Sequence, residues 1–337
     1  MLVFTHAVLL NTVIALAYVA ALVLVADRYE REPTRMLLRV YLVGIAATMA
    51  LTWLKCDVLG LCGDTGLSPW VEQFVVAGLG EETVKFGVFV WFARRSRDLD
   101  EPLDAMVYLG MAALAFAFHE NVGYFMAYAG DAAKLSQISG DGSLYRAAVG
   151  DVTVARAMPG HLLFDTIAAW WLALGLRRGH MWRYLAPALV TAVVLHAAWN
   201  LIPWGVPFLM YVALLLVASI VAVGWAHRRS PHRQRQEKFL VSLQALPWPD
   251  ATVPRRLVAG LRTLDGPRQA QIMAEAEMAM SEGAQDDAVT TVELLLSAAA
   301  RPLGRVARAL ALLGAVVGLS ILAEFTLLAW LAMLAGM

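Results

Sequence analysis

Long apolar runs separated by short polar stretches set the pattern of this chain. Eight of them, at about 6–26, 40–56, 71–92, 103–128, 152–175, 185–203, 207–226 and 306–334, approach the twenty or so residues that a helix needs to cross a hydrocarbon layer of about 30 Å. The runs are continuous rather than alternating at every second residue, which argues against a transmembrane β-barrel and for an all-α, polytopic helical bundle. A polar stretch separates the seventh run from the eighth. Three parts are therefore expected: a seven-helix transmembrane core over 1–226, a polar helical insert over 227–305, and a final membrane helix within 306–337.

The insert begins with a basic segment from His227 to Lys238, and Pro247, Pro249 and Pro254 then mark an irregular connector. Segments near 255–264, 267–282 and 285–300 have the spacing of short amphipathic helices, as at Ile272, Ala276 and Met280. No catalytic pattern occurs in it. It reads as a small cytoplasmic appendage whose basic edge lies against anionic lipid, or as a module that binds a partner.

Composition agrees with the pattern. Of 337 residues, 60% are hydrophobic and 16% charged, and the mean hydropathy is +0.62, so lipid is the solvent for most of the chain. The net charge is zero, which indicates no general attraction to nucleic acid. Where the charges sit is more informative. Arg28, Arg31, Arg35 and Arg39 fall between the first two runs, Arg94, Arg95 and Arg97 between the third and fourth, and Arg177, Arg178 and Arg183 between the fifth and sixth, while a further basic segment follows the seventh. The intervening loops hold little beyond Lys134 and Arg146. By the positive-inside rule the N-terminus is outside, and the basic loops and the insert are cytoplasmic. The first run has no basic segment before it and no small-residue cleavage site after it, so it is expected to be a retained span. Trp70, Trp91, Trp182, Trp204 and Trp225 recur near run ends, as in an interfacial aromatic belt. Cys56 and Cys62 fall at the start of the first outside loop, where they either pair in an oxidising compartment or remain free thiols.

Ionisable groups within the apolar runs change the picture from scaffold to site. The third run contains Glu81, Glu82 and Lys85, the fourth His119, Glu120 and Asn121, the fifth His161 and Asp165, and the sixth His196 and Asn200. Each such group costs at least about 2.5–3.5 kcal/mol on insertion scales, so it normally faces the bundle interior and serves a function. At 1.5 Å rise per residue, Glu81, Glu120, His161 and His196 fall roughly 10–15 Å below the outer surface. Four helices of alternating direction thus deliver polar groups to one level, which predicts a single site. Glu81 and Lys85, His161 and Asp165, and His196 and Asn200 are each four apart and share a helix face. Asp165 and Asn200 are placed to orient the histidine one turn away. His119 projects about 100° from Glu120 around the helix and is read as a packing residue.

Carboxylates beside imidazoles, in a cavity partly closed to water, can activate a water molecule and stabilise an oxyanion. This permits peptide hydrolysis without a nucleophilic Ser or Cys, with Glu81, Glu82, Glu120, His161 and His196 as the catalytic candidates and Lys85, Asn121, Asp165 and Asn200 in support. The same residue types can bind zinc, in which case Glu120, His161 and His196 are the expected ligands. The compact HExxH spacing is absent, so a metal is compatible with the layer without being demanded.

The runs DRYEREP, EETVK (Glu81 to Lys85), DEPLDAMVYLG (Asp100 to Gly110), FAFHENVGY with Phe116 four before Glu120, the His161 run and HAAWN from His196 together resemble the PrsW family. These membrane proteases are related to the type II CAAX prenyl endopeptidases and the bacterial immunity proteins of the same fold. The resemblance covers about residues 25–226 and leaves the insert and last helix aside. It implies that Glu81 or Glu82 activates the attacking water and that His161 and His196 position it or stabilise the oxyanion. Glu120 stands where the prenyl endopeptidases carry a histidine. It also implies a bacterial inner (cytoplasmic) membrane location and, as substrate, a single-pass membrane protein of the anti-sigma-factor kind, cut on its outward side as a step of signalling.

Two other readings use the same layer. A proton-coupled transporter would employ it as a relay, but internal repeats and matching broken helices are not evident; Pro159 with Gly160 is the one break near the layer. A membrane-embedded binding or immunity protein would keep the fold without hydrolysis.

Overall fold

The computed structural model describes residues 9–10, 13–14, 17–18, 21–22, 32–62, 65–96, 98–157, 159–203, 205–231, 233–234, 237–238, 241, 274 and 278. The span expected at 306–334 and nearly all of the insert lie outside the described residues. Every described element is helical: α1 (Thr34–Trp53), α2 (Gly80–Ala93), α3 (Pro102–Tyr124), α4 (Gly130–Ser139), α5 (Gly142–Ala157), α6 (Gly160–Arg177), α7 (Leu185–Leu201) and α8 (Val206–Arg229). Wider π-helical stretches extend α1 over Leu54–Val58, lead into α2 over Glu72–Leu79 and continue α3 over Phe125–Ala129.

Four of the described helical segments, Thr34–Val58, Pro102–Ser139, Met181–Leu201 and Val206–Arg229, are long and apolar enough to cross a membrane. They match the runs expected at 40–56, 103–128, 185–203 and 207–226. The runs at 71–92 and 152–175 are helical as well, but the first carries Glu72, Glu81, Glu82 and Lys85, and the second is divided at Pro159. Among the described residues four helices thus qualify by length and composition, while most of the run expected at 6–26, like that at 306–334, lies outside them.

α3 is the central post, buried continuously from Pro102 to His119. A helix apolar on all sides belongs inside a bundle, and here α1, α2, α6 and α8 surround it. At its start Glu101 and Asp104 form a reciprocal capping box with Pro102 in the first turn, and Asp104 Oδ2 accepts from the Glu101 amide at 2.7 Å. Tyr108 donates to Glu32, and Ser230 at the end of α8 donates to Glu101 at 2.5 Å. Glu32 and the DEPLDAMVY run are therefore part of a clasp that fixes one end of the bundle, remote from the titratable cluster.

Small residues let helices approach where the site requires it. A Cβ on Gly44 of α1 would lie 2.8 Å from the Ala115 Cβ of α3, and one on Gly160 would lie 2.9 Å from the Trp199 ring of α7. The second contact draws the first turn of α6, with His161, towards α7, with His196. Pro159 has no N–H to continue a helix, which accounts for the interruption between α5 and α6. Polar ties then pin the outer helices: Trp171 Nε1 donates to Thr191 at 3.0 Å, Tyr211 to the Leu195 carbonyl at 2.7 Å, and Ser219 to the Leu163 carbonyl at 3.1 Å. The stretch 129–151, expected as a connecting loop, is a helical hairpin of α4 and the first part of α5.

Candidate active site

Glu81, Glu82 and Lys85 lie in the first two turns of α2, and Lys85 is the hub of the cluster. Its Nζ, buried to 1% exposure, lies 2.7 Å from Glu82 Oε1, 2.7 Å from Asp165 Oδ2 and 3.2 Å from His161 Nδ1. An ammonium has three N–H groups and no lone pair, so His161 Nδ1 must accept. The proton of the neutral ring then sits on Nε2, which donates to Glu120 Oε2 at 2.7 Å. The faces of Phe116 and Phe164 flank the ammonium at 5.5 and 5.0 Å.

His196 shows the complementary arrangement. Its Nδ1 donates to Glu82 Oε1 at 2.7 Å, which leaves Nε2 with its lone pair, 3.8 Å from Glu81 Oε2. Its ring stacks on Phe164 at 5.1 Å and meets His161 edge-on at 5.1 Å. The four expected runs thus converge, and α2, α3, α6 and α7 contribute side chains to one cluster.

Within the supporting set the structure assigns different partners from those expected. Asp165 reaches His161 through Lys85, which lies between them. Glu82 orients His196, while Asn200 is exposed and lines the cavities beside it. Asn121 is buried and accepts from Arg156 Nε at 2.6 Å. His119 Nε2 pairs with Thr52 of α1 at 3.2 Å.

Two cations of the site escaped the sequence reading. Lys55, on the π-helical extension of α1, donates to Glu81 Oε1 at 2.8 Å. Arg156, in the last turn of α5, donates to Glu120 Oε2. Each is a single charge at the edge of an apolar run, and that isolation was the available signal. Next to Lys55, Cys56 is joined to Cys62 in a disulfide, which settles the choice between bond and free thiols.

Two cavities adjoin the cluster. One of about 20 Å³, near the size of a single water, is bounded by Glu120, Arg156, His161, His196 and Asn200 among others. A larger chamber of about 850 Å³ reaches Glu81, Glu120 and Asn200 from the side of the Cys56–Cys62 loop and Lys55. Glu81 and Glu120 line open space, whereas Glu82 and Asp165 are sealed at 0% exposure.

A model of the family described as "PrsW family intramembrane metalloprotease" matches residues 32–224, more than half of the chain. The chain belongs to the PrsW family. Among PrsW relatives, the protein named Protease PrsW from Geobacillus kaustophilus (strain HTA426) is 29% identical over 233 residues, covering 66% of this chain and 88% of that protein. The Protease PrsW of Clostridioides difficile (strain 630) is 25% identical over 199 residues, or 56% of this chain and 78% of its own. No solved structure matches. Family and apolar helices together make this a multi-pass membrane protease of a metalloprotease family.

The residues present fit a cation. One donor atom from each of Glu81, His161 and His196 lies within 4.8 Å of the others, all three side chains being buried. Glu81 Oε2 is itself a buried acceptor with no hydrogen-bond donor, as are Glu82 Oε2 and Asp165 Oδ1. Buried acceptors in this state cost free energy that a positive charge offsets. The second nitrogen of His196 is anchored to a carboxylate, as is usual for a metal-binding imidazole.

Proposed function

We propose that this PrsW-family protease hydrolyses a peptide bond of a single-pass, membrane-anchored protein of the anti-sigma-factor kind, in the outer half of the bacterial inner membrane. The observation that carries the reading is the convergence of side chains from four helices: Glu120, His161 and His196 bound a cavity of about 20 Å³, and Glu81, which lines the larger chamber, brings a carboxylate oxygen within 4.8 Å of donor atoms of both histidines. Glu81, His196 and His161, the last giving up on binding the Nε2 proton it donates to Glu120, would hold a divalent cation, zinc by the chemistry of the donor set, with Glu120 as the neighbouring carboxylate. When bound, such a cation polarises the scissile carbonyl and makes water acidic enough to react near neutral pH.

The remaining roles fall to the chain's own groups. Glu120, which borders both cavities, takes the proton of the attacking water as its oxygen bonds to the carbonyl carbon. It returns that proton to the leaving nitrogen as the C–N bond breaks. Glu82 holds His196 in one tautomer, and Lys85 neutralises Glu82 and Asp165 while fixing His161. The large chamber on the side of the disulfide is the route for the substrate backbone and for water. The proposal takes in the whole chain: about eight spans, a catalytic core over 1–226, a cytoplasmic insert over 227–305, a last span within 306–337, and the N-terminus outside.

Comparison of the membrane proteomes of cells carrying the parent protein and the Glu81→Gln, Glu82→Gln double variant tests this reading. A truncated single-pass protein present only with the parent, its precursor accumulating with the variant, is the expected result. Identical fragment sets at equal expression contradict it.

A further inference from the structure

Arg156 is held in a way that a simple charge partner for Glu120 does not require. Its guanidinium donates through Nε to Asn121 Oδ1 at 2.6 Å and through Nη2 to Glu120 Oε2, and its Cζ lies over the Tyr124 ring, 4.3 Å from the ring centre. Three side chains from the end of α3 thus fix a fork whose position a lysine would not share. Asn121 is buried at 2% exposure, so that anchor is rigid. A guanidinium presents five N–H donors, and these bonds use two; the others have no partner among the described residues. The same side chain lines the water-sized cavity with Glu120, His161 and His196.

We propose that Arg156 is the oxyanion donor of the site, its uncommitted N–H groups binding the carbonyl oxygen of the scissile peptide as negative charge develops there. The inference rests on the hydrolytic reading of the cluster and adds a catalytic residue to it. Hydrolysis places new negative charge on one oxygen at the moment water attacks the carbonyl carbon. A preorganised cation in a largely buried site stabilises that charge. Arg156 and Glu120 are neighbours, so the base and the oxyanion donor act on the same carbonyl from one wall. Asn121 and Tyr124 are positioning residues that hold the fork. Pairing with the Glu120 carboxylate, which also accepts from His161, keeps the cation in place in the resting site until a carbonyl replaces part of that contact.

The experiment uses the full-length protein in proteoliposomes. Its probe is the purified precursor identified by the proteome comparison; the absence of any such precursor defeats the hydrolytic reading, and this assignment with it, whereas the variants below test this assignment alone. Arg156→Gln is expected to lower kcat on the order of 10²–10³-fold, with KM within about threefold of the parent. Millimolar guanidinium should restore at least about tenfold in Arg156→Ala and nothing in Glu81→Gln. A kcat within about threefold of the parent, a loss confined to KM, or a kcat loss that guanidinium leaves untouched overturns the proposal. Should the Arg156 variants not melt cooperatively, Tyr124→Leu decides, since it withdraws the ring and leaves the ion pair. A fall in kcat of about tenfold at constant KM supports the assignment, and an unchanged kcat overturns it.

Discussion

Glu82 Oε1 accepts from His196 Nδ1 at 2.7 Å, and that bond determines which nitrogen of the ring is left to react. With the proton on Nδ1, Nε2 keeps its lone pair, 3.8 Å from Glu81 Oε2, where the donors of the cluster meet. Glu82 itself is sealed, so its contribution is orientation. Glu82→Gln keeps the volume and removes the charge that anchors both the imidazole and Lys85. It should weaken zinc binding and slow cleavage by about 10–100-fold each. Metal content after dialysis against a zinc buffer, with cleavage measured in parallel, checks this.

Lys85 stands between two sealed carboxylates, 2.7 Å from each. Removing one member of a buried ion cluster leaves the others uncompensated, typically destabilising by about 3–5 kcal/mol. Lys85→Met should therefore lower stability by that order as well as abolish cleavage. Unfolding of the variant in mixed micelles with increasing denaturing detergent measures the loss, and parent-like stability would mean that the carboxylates share a proton instead.

Metal removal gives a separate readout. Stripping the protein with a chelator should abolish cleavage, and zinc should restore it. His161→Ala and His196→Ala should each reduce bound metal by at least about tenfold in affinity, as lost ligands do. His119→Ala should leave metal content unchanged, because His119 pairs with Thr52 on α1. Elemental analysis of the four proteins distinguishes these outcomes.

The fold offers its own test at Gly44. A Cβ there would sit 2.8 Å from the Ala115 Cβ of the central helix, in a core with no room to yield. Gly44→Val should cost about 1–3 kcal/mol through overpacking. Detergent unfolding of this variant, with wild-type metal binding in whatever fraction remains folded, separates packing from chemistry.

Much of the site was legible because the bilayer penalises charge. Glu81, Glu82, Lys85, Glu120, His161 and His196 stood out against apolar runs, and helical rise placed them at one level before any contact was known. The contacts themselves were not legible. That Lys85 intervenes between Asp165 and His161, or that Glu82 and not Asn200 orients His196, depends on which helix lies beside which. Periodicity within one segment carries no such information. Arg156 and Lys55 were passed over because each sits at a run end, where a lone cation reads as an interfacial residue until its carboxylate is seen across the gap. The hairpin of α4 and α5 was missed for a related reason: its polar, partly exposed residues lack the apolar stripe that announces a helix. In the resemblance, the DEPLDAMVY run pointed as strongly as EETVK, yet its Tyr108 and Glu101 clasp Glu32 and Ser230 at the bundle end rather than serve the chemistry.

The most direct test of the account compares cleavage of the identified precursor, in proteoliposomes, by the parent protein and by Glu81→Ala, His161→Ala, His196→Ala and His119→Ala. The first three should each lose at least about 10³-fold in kcat/KM while remaining folded, and His119→Ala should stay within about threefold. Undiminished cleavage by the first three would show that the cluster of Glu81, His161 and His196 is not where the peptide bond is broken.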